Sequence, residues 1–518
     1  MSVNRTKSTL INTSFAMLSR IVSMLLGFVQ KTIFIRTLGM SYTGVSGLFT
    51  DILTVLSLAE LGIGSAIAYS LYKPIAENNY KRIAQLMNFY KKAYHLIALI
   101  VFGVGMCLIP FIPYIVKNVP DISESIQLIF FLYICNTVAT YLLVYKNTLL
   151  VAAQKQYIVS NIQMLFTVLS ITTLSVTLLL FKNFLLYLCL QIVFSLAQNI
   201  VINYVATKAY PELKQYSKEK ISAEDKKLLF RDVRALMMYK IANVITTGTD
   251  STIVSTALGT DQVGVLGNYR TIRGYITSMI AQFYNALNPS LGNLAATEGK
   301  ERQYDIFQKL NFGTFWLASF CTTCFFTLFN PFMEIWLGNP DWILPIWTVG
   351  VYCSEYFFST MIGPVGAFRQ ANGLFVQTKY LALIQAVLNL GISILLVKYC
   401  GILGVLLGTL LSCLLTQIWY EPFIIYKSVF KRNVLEYYGQ LAKYYLITII
   451  NCAVVVGLSG CIPLEGAWAL LIIRFILCMI IPNAIIYLIY HNTTQCIECV
   501  RLIRNIVMKF INKFIKKR

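Results

Sequence analysis

The sequence is short of charge: 13% of its 518 residues are Asp, Glu, Lys or Arg, against 57% that are hydrophobic. No polar stretch is long enough to bury a core of its own, the longest running from about Lys208 to Arg234, so no soluble domain is expected. Histidine is scarcer still, with only His95 and His491 in the whole chain. The Gly-x4-Gly-Lys-Ser/Thr pattern that cradles nucleotide phosphates is missing, which argues against an ATP-driven pump. Acids and histidines are nowhere gathered on a sizeable loop, so an enzyme that builds or ligates polymers at a membrane face is disfavoured as well.

What the chain has instead is apolar runs of about 20 residues along its whole length, the length an α-helix needs to cross a bilayer core. The pattern predicts an all-α, polytopic membrane protein with spans at about 12–37, 44–72, 94–116, 125–150, 158–181 and 184–207. A second series follows at about 232–257, 263–291, 309–330, 344–368, 376–397 and 402–426, then two more at 437–459 and 467–490. Fourteen helices are thus expected, as two six-helix bundles and a C-terminal pair. The corresponding divisions are an N-lobe over 1–207, a linker over 208–231, a C-lobe over 232–430, the last two spans within 431–492, and a tail over 493–518.

The excess of Lys and Arg, which brings the net charge to +21, is ordered by position. Alternate joints and the two ends carry 31 of the cations, whereas the opposite joints carry only Lys117, Lys182 and Lys398. Basic loops stay on the cytoplasmic side, so both termini are expected there, and nucleic acid is not needed to explain the charge. The tail places Ile497, Val500, Ile503, Val507, Phe510 and Phe514 at helical spacing among basic residues, a pattern suited to an anionic membrane surface. Thirteen cysteines lie mostly within apolar spans and read as small hydrophobes. The Cys321-x-x-Cys324 and Cys496-x-x-Cys499 pairs have no partner cluster, so neither a metal nor another cofactor is implied.

The chain also repeats itself. Thr37-Leu-Gly-Met-Ser-Tyr-Thr-Gly-Val-Ser-Gly-Leu-Phe49 returns, shifted by 220 residues without a gap, as Ala257-Leu-Gly-Thr-Asp-Gln-Val-Gly-Val-Leu-Gly-Asn-Tyr269. Each half therefore opens with a charged hydrophobic segment and a short Gly-rich turn, an organisation common among transporters. Pro289 and Pro364 are expected to interrupt the eighth and tenth spans.

Nine cations remain inside or at the ends of spans. A cation at the centre of a helix costs about 2.5–3.5 kcal/mol on insertion scales, so it persists where water, a partner or a ligand offsets that cost. Arg36 and Lys146 can snorkel to a face, and Lys443 and Arg474 belong to spans outside the repeat. Five are candidate substrate contacts: Arg20 and Lys31 on the first span, Lys240 on its repeat mate, and Arg270 with Arg273, three residues apart on one face of the eighth. Guanidinium forks suit diphosphate oxygens bidentately, and lysine adds a movable point charge. The intramembrane acids Asp51, Glu60, Asp250 and Glu355 are candidate ion-coupling or salt-bridge partners, with a salt bridge expected of Asp250.

Arg20 in a polar-flecked first span, Arg36-Thr-Leu-Gly39 with Gly44-Val45, Glu60-Leu-Gly-Ile-Gly64, and Thr249-Asp-x-x-Ile-Val-x-x-x-Leu-Gly-x-x-x-Val-Gly264 together resemble the Wzx-type oligosaccharide flippases. These belong to the multidrug/oligosaccharidyl-lipid/polysaccharide exporter superfamily. The resemblance covers about residues 1–490 and implies two bundles forming a V around a central cavity. It also implies a cargo, an undecaprenyl-diphosphate-linked oligosaccharide carried to the outer leaflet of a bacterial cytoplasmic membrane, for capsule, O-antigen or exopolysaccharide assembly. Lipid-linked oligosaccharide, membrane, and the polysaccharide polymerase and glycosyltransferases are the implied partners. Competing cargoes on the same fold are lipid II, a teichoic acid precursor, and the drugs or ions of an antiporter, whose cavity should be anionic instead.

Overall fold

The computed structural model describes residues 22–57, 63–116, 122–153, 155–216, 219–222, 248–378, 380–462 and 466–501, with 504 and 508. Among these there is no strand, and each expected span is helical over most of its described residues. Among the described residues nine helical stretches are long and apolar enough to cross a membrane, that over 402–430 being made of more than one element. The chain is a multi-pass α-helical membrane protein, and it divides into two compact units, Met1–Gly267 and Asn268–Arg518.

The first unit begins with α1 (22–38) and α2 (Met40–Leu56), separated by one residue, Gly39, at φ +93°. A non-glycine residue is strained in that conformation, so the expected Gly-rich turn is a single left-handed glycine between two helices. The expected span 44–72 is two helices, α2 and α3 (Ile63–Ala76), with 58–62 outside the described residues. Helix α4 (Tyr80–Leu108) is longer than expected and carries Lys81, Arg82, Lys91 and Lys92, which the sequence pattern assigns to a loop. It starts at Asn79, whose side chain caps the Arg82 amide at 3.0 Å. Then come α5 (Ile126–Leu143), α6 (Tyr145–Ala152), α7 (Gln156–Phe181) and α8 (Phe184–Ala209). Helix α4 packs on α5, α5 on α8, and α7 on α8. An aromatic seam of Tyr90, Tyr94, Tyr141 and Tyr145 fills the core beside α3 and α6. Helix α9 (248–258) and the first turns of α10 (Thr260–Thr297) complete this unit.

In the second unit α11 (Lys300–Leu337) is central, packing on α12 (Ile346–Ala371), α16 (Leu435–Gly460) and α17 (Ala467–Tyr490). Its apolar stretch is 61% buried, whereas that of α17 is 17% buried and leaves its hydrophobic surface for lipid. Helices α13 (Leu381–Cys400) and α14 (Ile402–Leu415) approach closely because glycine faces the partner: a Cβ on Gly404 would lie 2.4 Å from the Leu396 carbonyl oxygen. After α14 the chain breaks at Thr416, continues as α15 (Gln417–Ile425), and ends in a π turn over Tyr426–Phe430.

Neither Pro289 nor Pro364 interrupts its helix: the helical backbone of α10 and α12 runs through both positions. The neighbouring helices of a bundle can satisfy the carbonyl that a proline leaves free, which is how spans tolerate it. The first turns of the tail form a short helix, 494–501, docked on the second unit. Cys496 is fully buried and Glu498 pairs with Lys309 at 2.7 Å, while Ile497 and Val500 stay exposed. The rest of the proposed amphipathic tail, apart from Arg504 and Met508, lies outside the described residues.

Candidate substrate-contact residues and the intramembrane charges

The repeated glycine segment forms a tight crossing inside the first unit. A Cβ on Gly44 would sit 1.9 Å from the Thr260 carbonyl oxygen, and one on Gly264 would sit 2.9 Å from that of Met40. Gly44 and Gly264 are mates under the 220-residue shift, and so are Met40 and Thr260; the two contacts are therefore copies of each other. Ser41 Oγ donates to Asp261 Oδ1 at 2.8 Å, and these two residues are themselves 220 apart. A residue that touches its own mate marks a local two-fold relation between the start of α2 and the start of α10. The left-handed turn at Gly39 has its own copy, since Gly259 takes φ +99° before Thr260.

The candidate charges of this unit lie around that crossing. Lys31, half-buried on α1, donates to the Gly267 carbonyl at 3.3 Å. Ser251 on α9 donates to Asp51 on α2, so α9 is tied to α2 through a carboxylate. One turn along, Ser255 Oγ donates to the Ile115 carbonyl at 3.0 Å. Asp250 is buried, with 4% of its surface exposed, on the helix that bears Ser251. Arg20, Lys240 and Glu60 lie outside the described residues.

Helix α10 carries Arg270 and Arg273 in the second unit. Arg273 Nη1 forms an ion pair with Glu355 Oε2 on α12, both side chains largely buried. Its Nη2 donates to Ser359 Oγ at 3.3 Å, and the guanidinium stacks over the rings of Tyr352 at 4.7 Å and Tyr356 at 5.3 Å. Glu355, Tyr352, Tyr356 and Ser359 are spaced along one face of α12, which is why a single helix can hold the whole fork. Arg273, a candidate substrate contact, and Glu355, a candidate ion-coupling or salt-bridge acid, thus meet each other directly. Arg270 is half-buried three residues before it.

Sequence reasoning missed a second charge pair. Arg369, assigned from the pattern to a basic joint, is 4% exposed near the end of α12 and meets Glu421 of α15 at 3.2 Å, with Thr378 Oγ1 at 2.9 Å. A single glutamate in the apolar run Gln417–Ile425 was the available signal. Arg474, set aside as lying outside the repeat, donates from Nε to Ser459 and from Nη1 to the Thr327 carbonyl, both at 3.2 Å, joining α17 to α16 and α11. All thirteen cysteines are free thiols, and no group of His, Cys, Asp or Glu able to hold a metal occurs among the described residues.

Residues 9–294 match the family model described as polysaccharide biosynthesis protein. Among curated proteins none matches. Among solved structures, the lipid II flippase MurJ in an inward closed conformation superposes with a TM-score of 0.70 at 12% identity, over 93% of this chain and 99% of that one. An inward-facing multidrug-resistance MATE transporter of the MOP superfamily gives 0.62 at 14% identity, over 79% and 98%. The MATE multidrug transporter DinF-BH gives 0.58 at 15%, over 82% and 97%. At such identities the likeness is one of fold. The chain belongs to the polysaccharide biosynthesis protein family and is built on the multi-pass fold of MurJ and the MATE transporters.

Proposed function

We propose that this protein flips an undecaprenyl-diphosphate-linked oligosaccharide from the inner to the outer leaflet of a bacterial cytoplasmic membrane, for capsule, O-antigen or exopolysaccharide assembly. The observation that carries the reading is a set of cations on membrane helices of a polysaccharide-biosynthesis family member, Lys31 on α1 and Arg270 and Arg273 on α10, to which the sequence pattern adds Arg20 and Lys240. Such charges favour a polyanionic headgroup over the cationic drugs of an antiporter. In this reading the diphosphate exchanges water for these cations, the sugars follow through the protein, and the polyprenyl chain stays in lipid. Arg273 has five N–H groups, more than its bonds to Glu355, Ser359 and Tyr352 require. Glu355 then holds the fork in place, and the two halves of the repeat move by alternating access. The protein acts as a transporter, not as an enzyme, with both termini cytoplasmic.

The test is flipping of a lipid-diphosphate oligosaccharide in proteoliposomes, with lipid II as a second cargo. The double variant Arg20→Ala/Lys240→Ala is expected to lose transport, whereas Lys/Arg exchanges at the same positions keep much of it. Transport that survives the double alanine would remove these two cations from the path, and movement of lipid II alone would reassign the cargo.

A further inference from the structure

The first unit contains a cavity of about 390 Å3 that the cation argument does not use. Among the described residues its lining includes no Asp, Glu, Lys, Arg or His, yet it is crowded with amides: Gln30, Asn147, Gln163, Gln191, Gln198 and Asn199. Amides are costly within a membrane bundle unless they are hydrogen-bonded. Their arrangement is helical and ordered. On α8, Gln191, Ser195, Gln198 and Asn199 fall at intervals of three and four residues, so one stripe of that helix faces the cavity. Gln163 and Ser170 do the same on α7.

Hydrogen-bonded joints between helices account for part of this set. Asn199 Nδ2 donates to the Ala139 and Thr140 carbonyls at 3.4 and 3.3 Å, Ser195 Oγ to Asn136 at 2.9 Å, and Gln30 Nε2 to the Tyr187 hydroxyl at 3.0 Å. The remainder is not spent in this way. The side chains of Gln163, Gln191 and Gln198 make no hydrogen bond to any described residue, and Asn147 Oδ1 is a buried acceptor without a partner. Three half-buried primary amides, each with two donors and a two-lone-pair acceptor, await something that can both give and take hydrogen bonds.

The chemistry narrows what that is. A metal or organic cation would lack a counter-charge, and a diphosphate would lack a cation, because neither kind of side chain lines the cavity among the described residues. An apolar drug would leave the amides unpaired at a cost of about 1–3 kcal/mol each. A polyhydroxylated, uncharged ring fits: every hydroxyl is donor and acceptor, matching an amide on both sides and replacing ordered water bond for bond. Phe166, Tyr187 and Phe194 in the same lining supply flat faces for the C–H surfaces of a pyranose. The volume lies near the small end of ligand sites, the scale of a mono- or disaccharide.

We infer that this amide-lined cavity of the first unit is a glycan subsite, taking an uncharged sugar of the cargo while the membrane cations meet its diphosphate. The inference rests on the transport reading above, and the experiment separates the two. The full-length protein in lipid nanodiscs is probed by saturation-transfer NMR with free lactose and free N,N′-diacetylchitobiose, and in parallel by binding of sugar-free undecaprenyl diphosphate. At least one sugar is expected to give a signal that falls at least fivefold in Gln191→Met/Gln198→Met, while the sugar-free lipid binds the variant as it binds the native protein. Absence of signal from both sugars on the native protein overturns the subsite, as does a signal that survives the double variant. A sugar signal without binding of the sugar-free lipid keeps the subsite and overturns the diphosphate reading. Should the double variant lose lipid binding too, single Gln198→Met decides: reduced sugar signal with intact lipid binding supports the subsite, and unchanged sugar signal removes it.

Discussion

Removing one member of the Arg369–Glu421 pair would strand an ion among apolar side chains, since each side chain is 5% exposed. Arg369→Met or Glu421→Met is therefore expected to cost about 3–5 kcal/mol, and the double Arg369→Met/Glu421→Met far less. Thermal unfolding of the three variants in detergent checks the ordering. Arg273 should behave differently. Its fork serves Glu355, Ser359 and two tyrosine rings at once, which an ammonium cannot do. Arg273→Lys is expected to lower the initial rate of flipping by about tenfold, equivalent to about 1.4 kcal/mol, with a smaller change in unfolding temperature. A rate loss that tracks the stability loss would make Arg273 a scaffold residue only. At this scale the sequence showed which residue types were out of place in a membrane, but not their partners. Arg273 and Glu355 are 82 positions apart in number, and nothing in their local patterns links them.

Helix by helix, the close approaches depend on glycines whose spacing was visible and whose individual roles were not. Gly44 and Gly264 meet backbone, whereas a Cβ on Gly267 would meet nothing within 4 Å. Gly44→Val is accordingly expected to lose at least the ~1–3 kcal/mol typical of overpacking, and Gly267→Ala to be near neutral. Unfolding midpoints of the two variants decide the point, and equal effects would rule out the crossing as drawn. The same scale explains where the expected boundaries moved. Hydropathy marks the part of a helix that faces lipid, so α4 and α11 extend beyond their expected spans into turns that carry charge. Helix α2 ends at Leu56, inside the expected span 44–72, with Ser57 as its cap. The amide stripe of α8 was present at three- and four-residue spacing in the sequence, but amides in spans are common enough as helix joints that only the absence of a hydrogen bond to any described residue separates Gln191 and Gln198 from Asn199.

For the whole molecule, the distribution of Lys and Arg makes one firm demand: both ends should be cytoplasmic. A green fluorescent protein joined at Arg518 is expected to fluoresce, because it folds on the cytoplasmic side. Alkaline phosphatase fused after Lys182 is expected to be active, because that joint should face outward. The reverse result would invert the orientation and with it the direction assigned to transport.

Membrane residence, a helical fold and a plan shared by two halves follow from hydrophobic run length, basic-loop asymmetry and a 220-residue repeat, which are properties of order along the chain. The sequence also identified Lys31, Arg270, Arg273 and Glu355 as residues needing an explanation, since burying charge is costly wherever it occurs. The meeting of Arg273 with Glu355, the burial of Arg369 against Glu421, and the sharing of one cavity by amides of α7 and α8 that bond to no described residue emerge from the folded chain alone. Those facts depend on which helix faces turn toward each other, a choice made by packing across long sequence separations and not by any local pattern.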